Sequence, residues 1–305
     1  MADLNVVGRF APTPSGRMHL GNVFSALMAY LSVKNRHGEL VLRMEDLDTQ
    51  RTSTDFADIL RLDMAWLGLT WDREQTPQSQ RTDIYDRYFE ILKGKNLLYP
   101  CFCTRSQLHS VNAPHLADGT YVYPGTCRFL KDYPAGRKPS WRILTENKVF
   151  TLFDKVQGHY SLNLETECGD FVVRRADGCY VYQLAVTVDD AEAGVTEVVR
   201  GMDLLSSAPR QMYLQDIFGF PHPEYAHVPM LLAPDGRRLS KRDRDLDLGE
   251  LKKRVSRETI FGTLAHAAGI IDQKVPISLE ELTNEFDWNK VRGESIYLDV
   301  TDLLS

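Results

Sequence analysis

The sequence predicts an α/β protein in which short buried strands alternate with amphipathic helices. An apolar run over residues 4–7 indicates the first strand, and apolar side chains at helical spacing over 23–33 indicate the first helix. The run over 39–44 indicates a second strand, and apolar stripes over 56–67 and 80–95 indicate two more helices. This alternation is typical of an open, largely parallel sheet that is covered by helices.

The later part of the chain continues this pattern after a middle segment of a different kind. Residues 141–177 contain alternating apolar segments and several glycines, which indicate a β-rich layer. The remaining predicted elements are strands over 97–102, 195–199 and 228–232, an apolar element over 180–190, helices over 209–218 and 246–268, and short elements over 270–305.

Composition sets the broad class of the protein. The chain has 305 residues with 43% hydrophobic content, which is enough for two domains with proper cores. It has no apolar window of about 18 residues, and its N-terminus lacks the features of a signal segment, so we expect a cytoplasmic protein without membrane contact. The formal net charge of −6 argues against a generally basic nucleic-acid binder but leaves room for a local basic face.

The loop over 8–22 joins the first strand to the first helix and is the centre of the predicted site. Two prolines and two glycines over 12–21 fix its path and let a ligand approach the backbone closely. The helix N-terminus behind it has free N–H groups and a partial positive charge, which suit a phosphate, and His19 can donate to a phosphate oxygen. The alternative is an ordinary turn with a surface histidine.

Charged residues follow two of the predicted strands. Glu45 comes directly after the second strand, and Arg200 comes after the strand over 195–199. Because the carboxyl ends of parallel strands face the ligand crevice, Glu45 can hold a substrate ammonium and Arg200 a carboxylate. The alternative for Glu45 is a solvated acidic turn. The alternative for Arg200 is a salt bridge with Asp189 or Asp190.

A strongly basic loop follows the predicted strand over 228–232. It runs over 233–243, begins with turn-forming residues and contains Lys241. A mobile basic loop in this position can close over a triphosphate and neutralise the charge that grows on it. The alternative is a solvated basic loop, which most runs of charge are.

Three of the five cysteines are spaced like the ligands of a structural metal site. They are Cys101, Cys103 and Cys127. Three thiolates suit a tetrahedral Zn²⁺ with one ligand outstanding, for which the residue types nominate His109 or His115, with Tyr123 as a further candidate. The alternative is a set of unpaired structural thiols, and Cys168 and Cys179 lie too far along the chain to count as ligands.

Two loops together resemble the signatures of class I aminoacyl-tRNA synthetases. Residues 19–22 read His-Leu-Gly-Asn and resemble their His-Ile-Gly-His signature, and residues 238–242 read Arg-Leu-Ser-Lys-Arg and resemble their Lys-Met-Ser-Lys-Ser signature. The two stretches come in the expected order, about 220 residues apart, each after a predicted strand. Asn22 departs from the first signature, whereas Arg238 and Arg242 depart from the second while keeping positive charge.

The surrounding residues are similar to the catalytic domain of glutamyl-tRNA synthetases over roughly 5–245. The stretches that carry this similarity are 9–16, 43–48 and 199–203. Only about 60 residues follow, where glutamyl-tRNA synthetases have a long anticodon-binding region, so the chain resembles their truncated paralogues, the glutamyl-Q tRNA(Asp) synthetase family. The Cys-x-Cys…Tyr-x-x-x-Cys pattern of that family favours Tyr123 as the fourth zinc ligand. Val186 agrees too, since the family has valine where glutamyl-tRNA synthetases have an asparagine that helps hold the α-carboxylate.

This resemblance implies both the fold and the reaction. The implied fold is a doubly wound, Rossmann-like catalytic domain over 1–96 and 175–245, with an inserted zinc-bearing subdomain over 97–174 and a short C-terminal helical region over 246–305. The implied reaction is the ATP-dependent activation of L-glutamate to glutamyl-adenylate, followed by transfer of the glutamyl group to queuosine at the wobble position of tRNA(Asp). The expected enzyme is a monomeric ligase that contains Zn²⁺ and uses Mg²⁺ with ATP.

The resemblance also implies a role for each matched residue. His19 and Lys241 are the expected catalytic residues, and Lys241 would stabilise charge on the α-phosphate and the leaving pyrophosphate. The expected glutamate-binding residues are Arg9, Phe10, Ala11, Pro12, Thr13, Glu45, Tyr182 and Arg200. The expected ATP-binding residues are Thr13, His19, Gly21, Asn22, Ser240 and Lys241. Two alternatives stay open, namely a truncated glutamyl-tRNA synthetase that charges tRNA(Glu) and a non-catalytic binding protein built on a synthetase core.

Overall fold

A computed structural model of the chain describes residues 6–104, 106–107, 122–237, 247–299 and 303. Within these residues the strands are β1 (Val7–Phe10), β2 (Glu39–Arg43), β3 (Arg73–Gln75), β4 (Leu98–Cys101), β5 (Ser140–Ile143), β6 (Val149–Asp154), β7 (Gly158–Asn163), β8 (Phe171–Arg174), β9 (Glu197–Gly201), β10 (Glu224–Val228), β11 (Leu231–Leu232) and β12 (Ile296–Tyr297).

The helices of the same residues are α1 (Leu20–Lys34), α2 (Thr54–Leu67), α3 (Thr82–Gly94), α4 (Tyr182–Glu192), α5 (Ala208–Phe218), α6 (Leu248–Leu251), α7 (Arg257–Ala268) and α8 (Leu279–Glu285). Short 3-10 helices lie at Gln78–Gln80, Met202–Ser207 and Trp288–Lys290, and one π-helical turn lies at Leu164–Cys168. The apolar element predicted over 180–190 is therefore a helix.

The parallel strands form two sheets that meet beside β1. One has the order β1-β2-β3, with Arg9 opposite Val41. The other has the order β7-β6-β10-β9, in which β6, β10 and β9 are parallel and β7 is antiparallel to β6. β9 lies next to β1, because Thr196 donates its backbone N–H to the carbonyl of Val7 over 2.8 Å. The carboxyl ends of β1, β2 and β9 therefore meet at one edge, where an open α/β sheet usually binds its ligand.

Helices cover both faces of this arrangement. In β2, Leu40 and Leu42 join a hydrophobic cluster formed with α1, α2 and α7, whereas Val41 joins a cluster formed with α3, α4 and α5. Alternate residues of a strand point to opposite faces, so each cluster lies on its own side of the sheet. The predicted α/β fold is confirmed. Helices α2 and α3 lie where apolar stripes were predicted, but Phe56 and Ile91 of those stripes are exposed.

The remaining strands of the described chain form two smaller sheets. β4, β5 and β8 make an antiparallel sheet in that order, and β11 pairs with β12. The predicted boundaries of the inserted subdomain, at 97 and 174, and of the C-terminal region, at 246, stay predictions. β6 lies within the range predicted for the insert, but it belongs to the same sheet as β10 and β9 and pairs with β10 through Asp154 and Tyr225.

The first strand lies further along the chain than the apolar run over 4–7 predicted. The strand is β1, which places Arg9 inside it rather than in the following loop. Gly8 lets α1 pack against this strand, since a Cβ at Gly8 would collide with a methyl group of Val33. Pairing with β2 thus extends the strand into residues that look like the start of a loop in the sequence.

Two later predictions are wrong because each predicted element is divided in the structure. The strand predicted over 228–232 is two strands, since β10 ends before Pro229, which has no N–H to donate to a ladder. The helix predicted over 246–268 is also divided, because Ser256 caps a new helix by accepting a hydrogen bond from the N–H of Thr259. Among the described residues, no helix is both long and apolar enough to cross a membrane.

Candidate active site

A cavity of about 470 Å³ opens at the carboxyl ends of β1, β2 and β9. Most of the predicted ligand residues line it, namely Arg9, Phe10, Ala11, Pro12, Thr13, His19, Asn22, Glu45, Tyr182 and Arg200. An adjoining cavity of about 250 Å³ shares His19 and Asn22 with the first and adds Gly21. Segments that are distant in the sequence are thus brought to one place, while the roles of the individual residues stay predictions.

Arg9 is held rigidly at the base of this cavity. Its side chain is only 4% exposed. Its Nη1 donates to the carbonyl of Val199 over 2.8 Å, and its Nε lies 3.4 Å from Oδ1 of Asp190. The guanidinium is therefore positioned by β9 and α4 before any ligand binds.

Arg200, at 5% exposed, is held by neutral groups instead. Its Nε donates to Nε2 of His227 over 2.9 Å. Its Nη1 donates to Oε1 of Gln211 over 2.8 Å and to the Tyr182 hydroxyl over 3.3 Å. Its Nη2 is buried and has no hydrogen-bond partner within the described parts of the chain. A buried cation without an anionic partner is costly, so this arginine is a group that a bound carboxylate would stabilise.

The carboxylates that neutralise the other buried arginines lie on α4. Arg43 is fully buried, and its Nη1 donates to Oδ1 of Asp190 over 2.6 Å while its Nη2 donates to Oε1 of Glu45 over 3.2 Å. Asp189 accepts hydrogen bonds from three other side chains, those of Gln78, Arg81 and Tyr85. The suggested pairing of Arg200 with Asp189 or Asp190 is wrong, because the structure shows no such ion pair and both aspartates serve other arginines.

Burial and charge act against one another on Glu45 and Asp190. Burial raises the pKa of Glu45 above its ordinary value, and the charges of Arg43 and Arg9 offset only part of that rise. Burial would raise the pKa of Asp190 as well, but the same two arginines outweigh it and hold the pKa below its ordinary value. Asp190 is therefore the permanent counter-ion of the arginines, whereas Glu45 is the carboxylate that a cationic ligand group would stabilise.

His19 is the N-cap of α1 and exchanges hydrogen bonds with Asn22. Nδ1 of His19 accepts from the backbone N–H of Asn22 over 3.3 Å, and Oδ1 of Asn22 accepts from the backbone N–H of His19 over 3.3 Å. Because Nδ1 is an acceptor, a neutral ring has its proton on Nε2, which is the donor that a phosphate contact requires. Asn22, although it departs from the first signature, thus helps to build the helix N-terminus.

The second signature falls outside the described residues. It contains Ser240 and Lys241, together with Arg238 and Arg242, so their predicted roles stay predictions. The described chain resumes at Asp247, which forms a β-bridge with His19, and Leu248 donates its N–H to the carbonyl of Met18 over 2.9 Å. The described chain that follows the basic loop, from Asp247 onwards, is therefore anchored beside the first signature.

Several residues that support the site carry little or no signal in the sequence. Arg43 ends a strand that is otherwise mostly apolar, and a lone arginine in that place was a usable signal. Asp154 and His227 gave no comparable signal, because they lie 73 residues apart and meet only through the pairing of β6 with β10. Further residues that line the cavity without having been predicted include Ser15, Arg17, Ser25, Asp203 and Leu204.

The three predicted cysteine ligands converge at one place. The sulfur atoms of Cys101, Cys103 and Cys127 all lie within 4.8 Å of one another, and those of Cys103 and Cys127 are 3.6 Å apart. The Tyr123 hydroxyl lies 3.5 Å from Sγ of Cys101 and 3.7 Å from Sγ of Cys103. Ligands about 2.3 Å from a tetrahedral Zn²⁺ would lie about 3.8 Å apart, so the spacing of this donor set fits the ion.

No other histidine or cysteine among the described residues joins this cluster. His109 and His115 lie outside the described residues. Cys168 is buried elsewhere and Cys179 is exposed, and neither belongs to the cluster.

The fold is that of the class I tRNA synthetases. The family described as "tRNA synthetases class I (E and Q), catalytic domain" matches residues 5–303. A solved glutamate tRNA ligase from Elizabethkingia meningosepticum, in complex with its amino acid, is 28% identical with a TM-score of 0.82 and covers 98% of this chain and 68% of its own. The glutamate-tRNA synthetase of Elizabethkingia anophelis is similar at 28% identity and a TM-score of 0.82, with 98% and 69% covered.

Relatives of known name narrow the class. The chain is 41% identical to the glutamyl-Q tRNA(Asp) synthetase of Symbiobacterium thermophilum, over 95% of this chain and 94% of that protein. It is 41% identical to that of Nitratidesulfovibrio vulgaris, over 88% of each, and 43% identical to that of Thiobacillus denitrificans, over 85% of each. The chain belongs to the glutamyl-Q tRNA(Asp) synthetases, a family of ligases.

Proposed function

We propose that the protein uses ATP to activate L-glutamate as glutamyl-adenylate and transfers the glutamyl group to queuosine at the wobble position of tRNA(Asp). One observation carries this proposal: two buried arginines, Arg9 and Arg200, share a single cavity with the Glu45 carboxylate and with the N-terminus of α1. Such a cavity has the charges to hold an acidic amino acid beside a nucleotide phosphate. The names of the relatives support the choice of acceptor.

The amino acid would be recognised by charge at both of its ends. Arg9 and Arg200 would bind the side-chain carboxylate, and the Tyr182 hydroxyl beside Arg200 would add a further polar contact. Glu45 would bind the ammonium, together with the backbone of the loop that includes Ala11 and Thr13. Because Arg43 and Asp190 hold the charged groups in place, little ordering is needed when the substrate binds.

Adenylate formation needs no side-chain nucleophile, because the α-carboxylate of glutamate attacks the α-phosphorus of ATP and pyrophosphate leaves. The N-terminus of α1 and Nε2–H of His19 would hold ATP phosphate, with Gly21 and Asn22 at the adjoining cavity. Ser240 and Lys241 would close over the phosphates, and Mg²⁺ would enter with ATP. A preorganised donor of this kind is typically worth about 3–4 kcal/mol in the transition state.

The second step would esterify a hydroxyl of the queuosine cyclopentenediol with release of AMP. Support for this acceptor, rather than the 3′ end of tRNA(Glu), comes from Val186, which is buried on α4, one helical turn after Tyr182. The resemblance implies an asparagine in this position of the enzymes that charge tRNA(Glu), where its amide helps to hold the α-carboxylate of the amino acid. A valine cannot make that contact, so this position is similar to that of the glutamyl-Q tRNA(Asp) synthetases.

We further propose that Cys101, Cys103, Cys127 and Tyr123 bind a structural Zn²⁺. The ion would join the end of β4 to the segment over 123–127. Arg142 would offset part of the negative charge of this ligand set, since its Nε donates to Sγ of Cys101 over 3.3 Å and its guanidinium lies 3.7 Å from the centroid of the Tyr123 ring.

The larger organisation belongs to the same proposal. We propose a monomeric cytoplasmic enzyme with a catalytic domain over 1–96 and 175–245, a zinc-bearing insert over 97–174 and a C-terminal region over 246–305. Of the last region, α6, α7 and α8 supply the helices that the structure describes.

Two assays test the proposed function. Purified protein with ATP, glutamate and labelled pyrophosphate, but no tRNA, should form labelled ATP. Labelled glutamate should then become attached to tRNA(Asp) that contains queuosine, and not to tRNA(Asp) that lacks it. Labelling of tRNA(Glu) would instead favour the truncated charging enzyme, and the absence of glutamate-dependent exchange would favour a non-catalytic binding protein.

A further inference from the structure

Three buried side chains form a continuous hydrogen-bonded chain from β6 to the cavity. Nδ1 of His227 lies 2.6 Å from Oδ2 of Asp154, and Nε2 of His227 accepts from Nε of Arg200 over 2.9 Å. Asp154 is 1% exposed and His227 is 0% exposed. Asp154 also accepts the backbone N–H of His227 over 3.0 Å, which fixes it on β10.

These contacts allow only one protonation state of the imidazole. An arginine donates through every nitrogen and never accepts, so Nε2 of His227 must be a bare acceptor where it meets Arg200. The ring proton is then on Nδ1 and is donated to Asp154. The histidine is therefore neutral and of one tautomer, and the carboxylate selects that tautomer.

The charge around Arg200 differs from that around Arg9. Arg9 lies 3.4 Å from the Asp190 carboxylate, whereas the described partners of Arg200 are an imidazole, an amide and a phenol. A carboxylate in direct contact with Arg200 would neutralise much of its charge. An imidazole between Asp154 and Arg200 gives the same fixed direction without that loss.

We propose that His227, oriented by Asp154, is a positioning residue that determines specificity: it fixes the direction of the Arg200 guanidinium while leaving its positive charge to a substrate side-chain carboxylate. The enzyme would thereby prefer glutamate to glutamine, which has the same shape but no charge. This inference rests on the proposed function, because it takes the amino acid bound beside Arg200 to be glutamate.

Two variants of nearly equal shape separate the acceptor from packing. His227→Gln keeps an acceptor oxygen near the place of Nε2, whereas His227→Met fills similar space without one. In His227→Met the guanidinium of Arg200 is free to turn towards Asp154. The Asp154 carboxylate would then neutralise part of its positive charge, and the guanidinium would no longer point towards the substrate. Pyrophosphate exchange with glutamate and with glutamine should be measured for both variants, with His222→Gln as a control because His222 lies at the surface and pairs with Asp216.

The expected result is a selective defect. His227→Met should raise the KM for glutamate about 10- to 100-fold, leave the KM for ATP unchanged and reduce the preference for glutamate over glutamine at least about tenfold. For His227→Gln, both KM values and the preference for glutamate should stay within about tenfold of those of the parent protein. His222→Gln should have the same values as the parent protein. Equal behaviour of the Gln and Met variants, or parallel changes in both KM values, would show that His227 acts only in packing and would overturn the inference.

A measurement on the unaltered protein keeps the inference testable if a variant does not fold. Nitrogen NMR of ¹⁵N-histidine-labelled protein should show Nδ1 of His227 protonated and Nε2 unprotonated at neutral pH. A proton on Nε2 would overturn the inference even if glutamate-dependent exchange were normal. A parent protein without that exchange would overturn the proposed function, and this inference with it.

Discussion

The Arg43 guanidinium donates to the Asp190 carboxylate over 2.6 Å, and both side chains are buried between β2 and α4. The same carboxylate lies 3.4 Å from Arg9, which lines the cavity. Asp190 does not line the cavity itself. The orientation of Arg9, a proposed substrate-binding residue, therefore depends on Asp190, which is not part of the cavity lining.

We expect Asp190→Asn to destabilise the protein by about 3–5 kcal/mol, because it leaves two buried guanidiniums without their shared counter-ion. Urea denaturation at neutral pH measures the change. Glu90→Gln is the control, since the ion pair that Glu90 forms with Lys93 is exposed and its loss should leave the midpoint unchanged. A loss below about 1 kcal/mol for Asp190→Asn would contradict this account of the network.

Substitutions of His19 should separate its catalytic role from its structural one. Asparagine is a good N-cap, so His19→Asn should keep the stability of α1 but lose the Nε2–H donor and lower kcat by about 100-fold. His19→Ala should lower kcat similarly and also cost about 1 kcal/mol of stability, because the cap is lost. Adenylate formation by pyrophosphate exchange and thermal unfolding are the two measurements. If His19→Asn were as active as the parent, His19 would be a capping residue only.

Cys103→Ser should abolish stoichiometric zinc, whereas Cys179→Ser should not. The first change removes a member of the thiol cluster, and the second removes an exposed thiol outside it. Metal analysis of the purified parent and variant proteins measures their zinc content. Tyr123→Phe should retain zinc more weakly than the parent if the phenol is the fourth ligand. Equal zinc content in the parent and in Cys103→Ser would refute the proposed metal site.

Stability should fall as the pH is lowered from about 6.5 towards 4. Burial lowers the pKa of His227 to about 4, aided by the charges of Arg200 and Arg9, while Asp154 acts in the opposite direction. Below its ordinary pKa of 6.5 the unfolded chain binds a proton at this imidazole that the folded protein does not bind, so unfolding is favoured throughout this window. The effect amounts to at most roughly 3 kcal/mol.

Urea denaturation at several pH values measures this dependence. His227→Gln has no imidazole at this position, so its stability should vary less with pH than that of the parent across the same window. Parallel curves for the two proteins would show that His227 is not the group responsible.

Much of this architecture could be predicted from local patterns. The spacing of apolar residues indicated α2 and α3, because the face that a helix buries is set by residues three and four apart. The loop after β1, Glu45 after β2 and Arg200 near the end of β9 indicated a ligand site, because strand ends in a parallel sheet share one edge. Arg200 lies inside β9 rather than after it, since the strand extends to Gly201 and not only to residue 199 as predicted. Predictions failed at Pro229 and Ser256, where a single residue ended or began an element inside an apolar stretch.

The sequence by itself determined which residue types stand at the ends of the strands, and so the charge of the cavity that Arg9, Glu45 and Arg200 line. Only the tertiary structure decided which partners those charges have. Asp190 neutralises Arg9 and Arg43, and Arg200 is left to His227, an assignment made by contacts between residues far apart in the chain. The physical reason is that hydrophobic periodicity acts between near neighbours in sequence, whereas the energy of a buried charge depends on every group that folding brings within a few ångströms of it.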